Sequence, residues 1–130
     1  MNSHTELFQL IAQDAEMPIS GGSRAAHCNY GPTDDKTALF QVRVHEDHLE
    51  VGLAFDRSKH YESVQAADEY EKALTPMVSE LRRYGKSNQY LMVRIDCALC
   101  DTNPSLAKRA ASILNAVRDA VEDSGVVVAF

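Results

Sequence analysis

The stretch TALFQVRVHEDHLEVGLAFD, residues 37–56, alternates apolar and polar side chains on both sides of a polar centre, which is the pattern of a β-hairpin. Setting His45 against His48 across a turn at Glu46 and Asp47 pairs Val44 with Leu49, Val42 with Val51, Phe40 with Leu53, and Ala38 with Phe55. These residues make one apolar face. The other face then sets Arg43 against Glu50 and Thr37 against Asp56, an opposite-charge pair and a polar pair that suit a wetter surface. A slip of a single residue would turn the whole apolar set outward, so one register satisfies both faces. The turn lacks the Asn-Gly or Asp-Gly preferred in the tightest hairpins, which leaves room for a slightly longer loop.

Helical signals flank this hairpin. Upstream, Ser3 and Glu6 fit a capping box, and Leu7, Phe8, Ile11, Ala12 and Ala15 follow as one apolar stripe that Pro18 ends. Residues 17–36 are rich in Gly and Pro and read as loops, with a short strand inside RAAHCNY. Downstream, Ala67, Tyr70, Leu74, Met77, Leu81 and Tyr84 recur in steps of three and four, which predicts an amphipathic helix over residues 62–84. Pro76 lies inside it and predicts a kink, or a second helix capped by Thr75, with Gly85 as the stop. QYLMVRID reads as a strand buried through Leu91, Val93 and Ile95. Asn103 and Pro104 then open a helix whose stripe is Leu106, Ala110, Ile113, Leu114, Val117 and Val121, ended by Gly125. The closing VVVAF reads as a final strand buried on both faces.

This order predicts an α+β fold in one domain spanning residues 1–130. A mixed, mostly antiparallel sheet with a central hairpin carries an N-terminal helix and two long amphipathic helices. The length and the 45% apolar content suffice for one ordinary core. The longest apolar run is VVVAF, far short of the roughly 20 residues of a membrane span. The N-terminus carries acids among its apolar residues and no basic region ahead of them, unlike a secretory signal, and three cysteines are too few for a disulfide framework. Both features make the cytoplasm the default location. Thirteen basic against 19 acidic side chains give a net charge of −6, which argues against nucleic acid as a partner. Arg82, Arg83, Lys86 and Arg94, then Lys108 and Arg109, are the candidates for a local basic face, and acids lie close to most of them.

The most compact chemical signal is the C-x-x-C pair Cys97 and Cys100. As a thiol-redox centre it is misplaced, since the second cysteine falls short of the helix cap and Asp96 and Asp101 flank the pair, which disfavours a thiolate. As a zinc site it needs two more ligands, and His27 with Cys28 supply the right types for a Cys₃His set. Without such convergence the cysteines read as ordinary buried residues, Cys97 continuing the inward phase of its strand. His45 and His48 are close enough across their turn to share a metal, but a third ligand is not identifiable from the sequence, and HEDH is not the helical H-E-x-x-H of zinc proteases. SGGSR, residues 20–24, lacks the form of a phosphate loop.

The element order resembles the core of restriction endonucleases, whose metal-dependent cleavage needs an acid two residues before a lysine. Glu50 is followed at that spacing by Gly52, so the resemblance stops at topology. An acidic chain of this length, with a helix, a set of strands and further helices, also resembles the secretion chaperones, and that resemblance implies holding extended segments of a partner. With no catalytic constellation, the expected function is a small acidic binding or regulatory module acting through protein–protein contacts, with self-association as a homodimer. The alternative is a zinc-binding or thiol-dependent protein centred on Cys97, Cys100, Cys28 and His27.

Overall fold

A computed structural model describes residues 5–20, 26–31, 38–55, 60–85, 89–97 and 104–125, with the side chains of 60–64 excepted. The elements run α1 (Thr5–Ala15), β1 (His27–Tyr30), β2 (Ala38–Val44), β3 (His48–Phe55), α2 (His60–Leu74), β4 (Arg82–Tyr84), β5 (Tyr90–Asp96) and α3 (Pro104–Ser124). The fold is α+β. Its five strands form one sheet in the order β1-β2-β3-β5-β4, and every described pairing is antiparallel, so the expected parallel component is not seen among the described residues.

The hairpin register is the one that alternation predicts. Ala38 pairs with Phe55, Phe40 with Leu53, Val42 with Val51, and Val44 with Leu49. His45 N–H donates to the His48 carbonyl at 2.9 Å, so the loop closes at its shortest length. The partnering of Thr37 with Asp56 lies outside the described residues.

Both neighbouring strands continue this apolar face: Cys28 and Tyr30 stand beside Val42 and Phe40, and Val93 and Leu91 beside Val51 and Leu53. All three helices pack on that side. Their buried residues share one core with the sheet, including Leu7, Phe8 and Ile11 of α1, Tyr70 and Leu74 of α2, and Leu114 and Val117 of α3. Tyr70 meets Phe55 edge to face at 5.4 Å, and the Tyr30 hydroxyl donates to the Phe8 carbonyl at 2.8 Å. The opposite side of the sheet carries no described helix.

Two elements differ from their sequence reading. The long helix ends at Leu74, and Leu81 and Tyr84 belong to a turn and to β4. Thr75 does not cap a second helix. Its hydroxyl donates back to the Glu71 carbonyl at 2.8 Å, a bond that closes the last turn, and Pro76 next to it has no N–H with which to continue. Gly85, with φ of 92°, follows β4 and not a helix. In α3 the fully buried face is richer in alanine than expected. Ala107, Ala110, Ala111 and Ala120 are buried, while Leu106, Ile113 and Val121 are only partly so. Small side chains let α1 lie close against α3, and the larger residues pack at the margin. Gly125, with φ of 63°, ends α3 as predicted. Ser3, Asn103 and VVVAF lie outside the described residues, and no described helix is long and apolar enough to cross a membrane.

Candidate functional site

The His27, Cys28, Cys97 and Cys100 set is not drawn together in its described part. Cys28 lies on β1 level with Val42, Val51 and Val93, three strands away from β5, and Cys97 follows Val93 by four residues. Strand spacing and rise place the two cysteines about 19 Å apart, against the ~4 Å that shared zinc ligation allows. Cys28 is a buried free thiol that burial pushes above its ordinary pKa, an effect the Tyr30 hydroxyl partly offsets. Its neighbour His27 projects to the opposite face, in line with Arg43. Cys97 is engaged in a disulfide and packs at the margin of the core, so its inward phase was legible. Cys100 lies outside the described residues, as do SGGSR beyond Ser20 and DRSK.

Of the candidates for a basic face, Arg83 and Arg94 are paired with carboxylates. Arg83 reaches Asp68 at 2.6 Å and Glu71 at 3.4 Å on α2. Arg94 holds Asp96 at 2.8 Å and lies 3.8 Å from Asp47, and these carboxylates, Asp96 foremost, raise its pKa further. Arg82 donates to the carbonyls of Ser79 and Leu81. Lys86 lies outside the described residues, and Lys108 and Arg109 are exposed on α3.

The tip of the β2–β3 hairpin does bring functional side chains together. His48 and Glu50 are the first and third residues of β3, and so share a face, the one without a described helix. His45, leaving β2, joins them across the two-residue turn. Its ring stacks on that of His48, with centroids 4.3 Å apart and planes 9° from parallel. His45 Nε2 lies 2.8 Å from Glu50 Oε1, and His48 Nε2 lies 3.7 Å from Glu50 Oε2. The other nitrogen of His48, Nδ1, is 2.6 Å from Asp47 Oδ1, a bond that holds the Asp47 carboxyl below its usual range. The carboxylate at the centre is the protected member, with the Glu50 side chain only 7% exposed.

Glu50 was expected to pair with Arg43. The two are cross-strand partners in register, but their side chains diverge. The Arg43 guanidinium donates to Gln41 Oε1 at 3.1 Å and lies over the Tyr90 ring, 4.3 Å from its centroid. On the other flank Arg94, the β5 partner of Glu50, turns to Asp96 and Asp47. The buried carboxylate therefore has two imidazoles and neither adjacent guanidinium as its partners among the described residues. Gln41 and Glu50 are both nearly fully buried, so this face is drier than its polar residues suggest. Glu50 as the third member is what sequence reading missed. The available signal was its position two residues after His48, on the same face of the same strand.

The sheet also ends unevenly. The three residues of β4 pair with Tyr90, Leu91 and Met92 only. Among the described residues no strand flanks Val93–Asp96 on the side away from β3, whereas the outer side of β1 is met by Ile19 and Ser20. Arg94 and Asp96 stand exposed along this stretch.

No protein-family model, no curated protein and no solved structure matches this chain.

Proposed function

We propose that the chain is a small acidic protein-binding module that takes up an extended polypeptide segment along the second half of β5. The observation that carries this reading is the stretch Val93–Asp96, which among the described residues has no strand on the side away from β3, beyond the reach of the short β4. A row of unpaired backbone N–H and C=O groups is a template for one more strand, whose main-chain hydrogen bonds supply affinity. The core on the other side of the sheet is closed by three helices, so the template is held rigidly. A net charge of −6 favours polypeptide over nucleic acid as the occupant. A second copy of the chain is the simplest such partner and would make the module a homodimer.

Sedimentation across a concentration series, combined with amide hydrogen exchange, tests this. The expected result is a dimer, or a complex with a co-purifying polypeptide, in which the amides of Val93–Asp96 exchange at least tenfold more slowly than in the dissociated chain. A monomer that retrieves no partner, or a complex whose formation leaves those amides unchanged, removes the reading.

A further inference from the structure

We propose that His45, His48 and Glu50 bind a divalent transition-metal ion at the tip of the β2–β3 hairpin. One ligand atom from each residue can be chosen so that all lie within 4.8 Å of one another. An ion held at about 2.0–2.2 Å from nitrogen and oxygen ligands sets those ligands roughly 3–3.5 Å apart. The observed separations from Glu50, 2.8 Å to His45 and 3.7 Å to His48, bracket that range. Little contraction toward Glu50 is required.

The hydrogen bonding points to a cation. His48 donates from Nδ1 to Asp47, which leaves Nε2 facing a carboxylate oxygen. Unless that nitrogen carries a second proton, two acceptors face each other, and a metal ion takes the place of the proton. An imidazole whose far nitrogen is held by a carboxylate, with the near one aimed at the ion, is the usual outer-shell arrangement of metal-bound histidine. Asp47 is the orienting group here. Glu50 fits the anionic ligand, since it is buried and the two guanidiniums beside it in the sheet have other partners. Two stacked rings cannot both hold one ion in their planes, so binding tilts one of them. His45, 37% exposed in its side chain and placed at the turn, is free to do so.

Two imidazoles and one carboxylate select zinc, cobalt, nickel or copper over magnesium and calcium, which favour all-oxygen sites. Three protein ligands leave a fourth position for water. The sulfur of Cys28, on the adjacent strand β1 and on the other face of the sheet, takes no part.

Titration of the full chain, first stripped with a chelator, with Zn²⁺ and with Co²⁺ tests the proposal. One equivalent is expected, without a sulfur-to-cobalt charge-transfer band. His45→Ala and His48→Ala should each weaken binding by roughly 100-fold or more, and Asp47→Asn by about tenfold, given that outer-shell losses alone cost 10–100-fold. Cys28→Ser, and Cys97→Ser combined with Cys100→Ser, should leave the affinity unchanged. Glu50→Gln should abolish binding. Because Glu50 is buried, the two histidine variants, with His45 the more exposed, decide the matter if that protein fails to fold. Unchanged affinity in both histidine variants, loss of binding in the cysteine variants, or no binding by the wild type at about 1 mM metal would each overturn the assignment.

Discussion

Replacing Tyr30 by Phe should cost stability at neutral pH and restore it in alkali, and the crossing point follows from the structure. Tyr30 is fully buried, and its hydroxyl ties β1 to α1 through the Phe8 carbonyl at 2.8 Å. That oxygen is inside a helix and keeps its intrahelical bond when the hydroxyl is removed, so the loss is about 1 kcal/mol, the net worth of one buried hydrogen bond. Burial, reinforced by the neighbouring Cys28 thiol, lifts the phenol far above its ordinary value of 10.0. The folded state thus holds a proton that the unfolded chain releases. A raised folded-state pKa contributes stability that is intact below pH 10 and is lost as the pH rises beyond it. By that linkage the unfolded wild type gains about 1.4 kcal/mol at pH 11 through ionisation of this one residue, a gain the phenylalanine variant lacks. The two proteins should be equally stable near pH ~10.7, with the variant ahead by about 0.4 kcal/mol at pH 11. Urea unfolding followed by circular dichroism at pH 7, 10.7 and 11 reads the difference directly. A gap that stays near 1 kcal/mol at every pH would mean that the Tyr30 proton leaves the folded protein as readily as the unfolded one, and the burial argument would fail.

Two further outcomes rest on close packing and on burial. A Cβ at Gly52 would overlap the Leu91 carbonyl oxygen and come within 3.0 Å of Met92 Cα, both main-chain atoms of β5, so Gly52→Ala should destabilise by about 3 kcal/mol or more in the same urea assay. A cost below about 1 kcal/mol would show that β3 and β5 separate easily. Cys28 should resist alkylation in the folded protein, because it is buried and the thiolate is the reactive form. Peptide-resolved mass spectrometry should find its rate on the order of 10³-fold below that in urea, and a ratio under about tenfold would contradict its burial.

The parts of this fold that could be read in the sequence are those where two constraints meet at one residue. The β2–β3 register was legible because each strand alternates with period two and only one pairing puts Phe40, Val42, Leu53 and Val51 together. Residues 75–84 were misread because Leu81 and Tyr84 continue a three-and-four spacing by coincidence. Thr75 bonding back to Glu71, followed by Pro76, ends the helix, and hydropathy carries no record of that. The α3 face was offset for a related reason: hydropathy ranks Leu106 and Ile113 above alanine, while a helix lying close against another buries its smallest residues deepest.

The hairpin site follows the same logic, and its third member was hidden by a reasonable rule. Opposite charges across a ladder are expected to pair, and Arg43 and Glu50 occupy such positions, yet a position on the ladder sets where the Cα lies and not where a long side chain ends. Arg43 gains a ring face and an amide by leaning away, and Glu50 is left to the imidazoles. The site therefore depends on the register that builds the core. A slip of one residue in β3 would carry Leu49, Val51 and Leu53 out of the core and, by the same step, swing Glu50 and His48 to the helix side, away from His45. Burial of the apolar face thus keeps the three polar residues together on one face, and Asp47 has only to fix the ring of His48.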